Sequence, residues 1–165
     1  MRLLVSACLL GENCRYDGVV RESIFPYLQA MGITPVGVCP EVLGGLSVPR
    51  LPSEIKGGGG KGVWSFDSVV VNKEGKDVTD AFMIGAVRTL LIAIKEGIRF
   101  AVLKSKSPSC GVHEIYDGSF SGRLVKGMGV SAYLLSVNGI KIIDEIELKS
   151  KIQMGFSALF PNYPL

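Results

Sequence analysis

Apolar residues along the chain come in short blocks. "RLLVSA" (2–7), "ITPVGVC" (33–39), "IRFAVLKS" (98–105) and "IKIID" (140–144) each sit beside glycine, proline or polar residues. Short apolar runs with that punctuation predict buried strands. Between them the spacing becomes helical. In "DAFMIGAVRTLLIAIKEG" (80–97), Phe82, Ala86, Leu90 and Ile94 recur at every fourth position. A helix is predicted there, capped by Asp77 or Thr79 and stopped at Gly97. "RESIFPYLQAM" (21–31) predicts a second helix, with Pro26 near its start and Gly32 ending it. "GVSAYLLSVNG" (129–139) and "EIELKSKIQ" (145–153) predict two more. "SVVVNKEGKDVT" (68–79) alternates and turns at Glu74–Gly75, the pattern of a hairpin. Residues 40–62 hold much of the chain's proline and glycine and predict a long irregular loop. Alternating strands and helices point to a Rossmann-like three-layer α/β sandwich with a mostly parallel central sheet and a small hairpin.

Composition agrees with this picture. The 165 residues are 47% hydrophobic and 20% charged, near globular averages, and suit one domain over 1–165. The net charge is +3, with no lysine or arginine run to mark a nucleic-acid surface. The N-terminal "MRLLVSACLLGEN" reads as a core strand, not a signal peptide. The apolar stretch around Leu90–Ile94 is too short to span a bilayer. A cytoplasmic protein is expected. The apolar, proline-broken end, "FSALFPNYPL" (156–165), is expected to pack on the body or on a second subunit of a homodimer.

The four cysteines, Cys8, Cys14, Cys39 and Cys110, form no CxxC, which argues against a zinc ribbon or a thioredoxin-like motif. Their positions on the predicted elements matter more. Cys8 lies just beyond the first strand, Cys39 at the end of the second, and Cys110 a few residues after the third. Open α/β sheets bind ligands outside the carboxyl ends of their strands. Three thiols distant in sequence therefore fall on one edge. Three converging thiolates suit a soft metal or an iron–sulfur cluster, and three ligands on a cubane leave one iron open. Cys14 is a candidate fourth ligand, which would close the site. Glu41, two residues after Cys39, is a candidate general acid or base beside such a centre. Arg15 and Asp17 either pair with each other or contact substrate. Ser105, Ser107 and Ser109 surround Cys110 and either cap turns or bind ligand.

Other chemistries fail on spacing. No GxGxxG follows the first strand. "KGGGGKGV" has Gly62 where a phosphate loop needs serine or threonine, so a flexible glycine loop is expected. Arg15 comes one place too late after Cys8 for a cysteine phosphatase, and His113 is the only histidine.

Taken together, "VSACLLG…RYDG", "VCPEVLGGLSVPR", "DVTDAF", "LKSKSPSCG…IYDGSFSG", "GVSAYLL" and "NGIK" resemble the thiouracil desulfurase family, in order, over roughly residues 3 to 148. The resemblance implies an oxygen-sensitive 4Fe–4S cluster held by Cys8, Cys39 and Cys110, with Cys14 a spare thiol. It implies removal of sulfur from a small-molecule thiolated base such as 2-thiouracil, giving uracil and hydrogen sulfide with no net redox change. Glu41 and Ser105 match the family's proton-handling positions. Arg15, Asp17 and Ser107 are the expected substrate contacts. Two stretches depart from the family pattern: "RYDGVVRES" lacks a Gly-His-Lys run, and "GGGGKG" has glycine where an acidic residue is usual. Two other chemistries stay open on the residues alone. One is a cluster-free sulfurtransferase working through a persulfide on Cys14 or Cys110. The other is a non-enzymatic sensor or carrier with all four cysteines on the cluster.

Overall fold

Strand β1 (Arg2–Ser6) runs through the centre of the molecule with Leu3, Leu4 and Val5 fully buried. A strand apolar on both faces must be covered on both, and here it is. The computed structural model, which describes residues 1–154, pairs β1 with β2 (Thr34–Val38) on one side and with β5 (Phe100–Leu103) on the other. Strand β8 (Lys141–Asp144) extends the sheet beyond β5, and all three pairings are parallel. Successive side chains of a strand point to opposite faces. Leu4 accordingly joins a core with Leu103, Ala132 and Leu135, whereas Leu3 and Val5 join one with Leu28, Val102 and Leu148.

The first core is closed by α4 (Thr79–Lys95) and α5 (Val130–Val137), the second by α1 (Phe25–Ala30) and α6 (Glu145–Met154). The three-layer expectation therefore holds. Two small antiparallel sheets sit apart from the central one. Strands β3 (Ser53–Lys56) and β4 (Val69–Asn72) form the first, β6 (Glu114–Tyr116) and β7 (Leu124–Lys126) the second. No helix among the described residues is long and apolar enough to cross a membrane.

Three local expectations are corrected. The stretch 40–62 is not one irregular loop: it contains α2 (Pro40–Leu43), β3, and the start of α3 (Gly59–Trp64). Glycine recurs in this helix because neighbours lie where side chains would be; a Cβ on Gly62 would meet Ser68 Oγ at 2.2 Å. In 68–79 the turn is present, with the Gly75 N–H donating to Asn72 O (2.8 Å) at a φ of +83°. However, β4 takes its ladder from β3, and only a single bridge, Val71 to Asp77, joins the two sides of that turn. Helix α1 begins at Phe25, not at 21, because the Ile24 N–H donates to Leu9 O (2.8 Å) and Ser23 Oγ accepts from the Phe25 N–H (3.1 Å). The apolar end, 156–165, and the subunit contact expected of it lie outside the described residues.

Candidate active site

The chain runs from β1 to β2 on one side of the sheet and then returns to β5 on the other. Such a reversal opens a crevice at the carboxyl ends of the strands. At this edge the Ser6 hydroxyl accepts the Lys104 N–H (2.9 Å), tying the ends of β1 and β5 together. A cavity of about 1290 Å³ opens there, lined by Cys8, Cys14, Cys39 and Cys110 together with Arg15, Glu41, Arg50, Lys104, Ser105, Ser107 and Glu145.

Each thiol is presented by a distinct local device. Cys8 lies in a 3₁₀ turn (Ala7–Leu10) that continues β1 and ends at Gly11. Cys39 is the residue before α2, and its carbonyl accepts the Leu43 N–H (2.9 Å). The helix it starts packs against α4 at Gly85, where a Cβ would come within 1.8 Å of Pro40 O. Cys110 ends a turn in which Ser107 Oγ accepts the N–H groups of Ser109 (3.1 Å) and Cys110 (3.0 Å). The buried Ser109 hydroxyl is spent on Ser131 (2.9 Å).

The sulfurs differ in character. Hydrogen bonding from Cys14 draws Cys39 down to about 7 against its burial, helped by the Val42 N–H and Arg50. Cys8 is lowered in the same way by Cys14, against burial and Cys39, with Lys104 and Arg15 assisting. Cys14 is pushed up by its hydrogen bonds to Cys39 and Cys8 and by burial. Cys110 is pushed up mainly by burial, partly offset by the Ser6 hydroxyl. When protonated, Cys39 donates to the Cys14 carbonyl (3.5 Å).

Among the described residues, no three His, Cys, Asp or Glu side chains are grouped to hold a single metal ion. One tetrahedral ion with thiolate bonds of about 2.3 Å needs its sulfurs roughly 3.8 Å apart. An iron–sulfur cubane takes one sulfur per iron and spreads its ligands wider. The donor set fits that group: soft thiols from separate segments, two of them drawn below the ordinary thiol range, in a cavity also lined by the cations Arg15, Arg50 and Lys104.

Two carboxylates flank the thiols, each held by a cation. Glu41, in the first turn of α2, accepts from Arg50 Nε (2.6 Å), and the two side chains are only 15% and 8% exposed. Arg50 also donates to Cys14 O (3.0 Å) and Ser47 O (3.0 Å), so one guanidinium joins the carboxylate to a thiol loop. The second carboxylate, Glu145, accepts the Ser105 hydroxyl (2.7 Å), the Ser105 N–H (2.8 Å) and the Lys104 ammonium. Burial alone pushes the Glu145 carboxyl up; bonds from Lys104 and Ser105 outweigh it and leave the group below its usual range.

Of the expected site residues, Cys8, Cys39, Cys110, Glu41, Ser105, Ser107 and Arg15 line the cavity, and so does the fourth cysteine, Cys14. Asp17 does not. It pairs with Arg15 (2.9 and 2.5 Å) and accepts the Val19 N–H (3.1 Å), and Arg15's hydrogen bond brings it down to about 2. Asp17 thus orients Arg15. Ser107 lines the cavity, but its oxygen is committed to its own turn. Arg50, Lys104 and Glu145 were not singled out in the sequence. Arg50 does close the "VCPEVLGGLSVPR" stretch, which was the available signal for it.

A family model described as 2-thiouracil desulfurase matches residues 3–147. The protein YbbK of Bacillus subtilis (strain 168) is 43% identical over 148 residues, covering 88% of this chain and 97% of its own. The solved structure of TudS, a [4Fe-4S]-dependent thiouracil desulfidase, superposes with a TM-score of 0.79 at 39% identity, covering 93% of this chain and 96% of that one.

Proposed function

The chain belongs to the 2-thiouracil desulfurase family, and from that premise we propose that it removes sulfur from a thiolated pyrimidine base such as 2-thiouracil. The products are uracil and hydrogen sulfide, with no net redox change. The cofactor is a 4Fe–4S cluster on Cys8, Cys39 and Cys110. The observation that carries this reading is that Cys8, Cys39 and Cys110, on segments that follow three strands of the parallel sheet, line one cavity together with two cation-held carboxylates. The likeness to TudS supports it.

When bound, the cluster supplies a Lewis acid that draws electron density from the carbon bearing the substrate sulfur. The chain's own residues do the rest. Glu41, held as an acceptor by Arg50, takes a proton from the oxygen that replaces sulfur. Ser105 positions the attacking water. Arg15 and Lys104 line the cavity as cations and favour the charge that develops on the departing sulfur. Cys14 stays off the cluster and hydrogen-bonds to Cys8 and Cys39.

Anaerobic reconstitution followed by incubation with 2-thiouracil tests the proposal. Loss of thiouracil absorbance with matching sulfide release is expected. Intact thiouracil beside a fully assembled cluster overturns it. Equal activity in a chelated, iron-free preparation instead selects the persulfide mechanism.

A further inference from the structure

Ser105 does not face the cavity as a free hydroxyl. A serine oxygen offers one donor and two acceptor sites. Here the hydroxyl donates a hydrogen bond to Glu145 Oε1 (2.7 Å), and one lone pair accepts a hydrogen bond from Lys104 Nζ (2.9 Å). The Ser105 N–H is bound to the other oxygen of the same carboxylate (2.8 Å), so backbone and side chain are clamped together. The clamp comes from 40 residues away in sequence. Glu145 opens α6, and Asp144 before it accepts the N–H groups of Ile146 (3.0 Å) and Glu147 (2.8 Å). That cap fixes the helix start and turns Glu145 toward β5. What Ser105 has left to offer the cavity is a single lone pair, which accepts.

We propose that Glu145 and Lys104 are positioning residues that make Ser105 a proton relay, with Glu145 as the terminal acceptor. The proposal rests on the desulfurase reading. As water adds to the carbon bearing sulfur, its O–H bond breaks and the proton passes to Ser105 Oγ. The Ser105 proton moves in the same event to Glu145 Oε1. The relay then runs backward: Glu145 returns its proton through Ser105 to the departing sulfur. The second proton, from the newly added hydroxyl, leaves by Glu41 as the carbonyl forms and completes hydrogen sulfide. One water is consumed, no electron is lost or gained, and both carboxylates end as they began. Lys104 holds the serine oxygen and the carboxylate in line throughout.

Glu145→Gln separates relay from scaffolding. Glutamine keeps the shape and one acceptor oxygen but cannot take the proton. The expected result is normal iron and sulfide content, KM within about threefold, and kcat lower by about 10²-fold, the usual scale for a lost acid–base group. Ser105→Ala lowers kcat by a similar factor. The double variant is no slower than the slower single one, because residues acting as one unit do not multiply their losses. A readout independent of turnover is acetylation of Lys104 in the full chain, with the other lysines as internal reference. It rises several-fold in Glu145→Gln, where the ammonium has lost its carboxylate. The relay is overturned if Glu145→Gln matches wild-type kcat, if it loses iron, if the two variants' losses multiply, or if Lys104 labelling is unchanged. Should Glu145→Gln not fold, an unimpaired Ser105→Ala overturns it equally. Loaded wild-type enzyme that leaves 2-thiouracil intact overturns the reaction and the relay together. Wild-type turnover with unaffected variants overturns the relay alone.

Discussion

Arg50 ties three pieces of the site with one side chain: the Glu41 carboxylate, the Cys14 carbonyl and the Ser47 carbonyl. Arg50→Met leaves a nearly buried carboxylate unpaired, a change that costs about 3 kcal/mol. For a chain of this size that lowers Tm by about 6–12 °C, measured by calorimetry. A second expectation concerns the thiols. In iron-free protein, alkylation of Cys39 rises through about pH 7, whereas Cys110, raised by burial, stays unreactive at pH 8; peptide mapping after brief alkylation reads both. Glu145 gives a third. Its folded value is depressed, so its contribution is complete above the ordinary carboxylate range and is lost as pH falls through the folded value. Urea unfolding at pH 7 and pH 3 should show a larger loss for wild type than for Glu145→Gln. Cys8, Cys39 and Glu41 were legible because they follow strand ends that hydrophobic pattern reveals, whereas Ser105 was singled out from the serines near Cys110 only by the family resemblance. Arg50 and Glu145 were not, because nothing in their spacing links 50 to 41 or 145 to 105.

Helix α2 is only four residues long, yet it carries Glu41 and follows directly on Cys39. It has too few turns to stand alone, so its position is set by α4 through Gly85. Gly85→Ala drives a methyl into the Pro40 carbonyl and moves α2 or α4. We expect a loss of about 1–3 kcal/mol in denaturant unfolding and reduced iron content after reconstitution, since Cys39 moves with the helix. The four central strands and α4, α5 and α6 follow from periodicity and stop signals. Helix α3 does not: glycine opposes helix formation, and only the close approach of Ser68 and Gly129 makes glycine the residue that fits. The hairpin partner of β4 was hidden for a related reason. Strand β3 lies inside the proline- and glycine-rich stretch, where alternation is too short to read.

The whole molecule divides its labour between interior and edge. Both cores lie on the faces of the central sheet, built on Leu3, Leu4, Val5, Leu28, Val102 and Leu103, whereas the site occupies the carboxyl rim. Stripping iron with an oxidant and chelator should therefore leave the far-UV circular dichroism unchanged while abolishing thiouracil turnover. Tm falls, since a group bound only by the native state stabilises it. Short apolar runs separated by helical stretches made the parallel sheet and its carboxyl rim foreseeable; the cavity, lined by side chains from distant parts of the chain such as Cys8 and Glu145, was not. Those positions also set an order of emergence from the ribosome. All four thiols have been translated by residue 110, but Glu145 and the edge strand before it come later. A nascent chain can thus expose every sulfur before the serine has its carboxylate, and a cell that delivers iron at that moment would be loading a centre whose proposed relay is still incomplete.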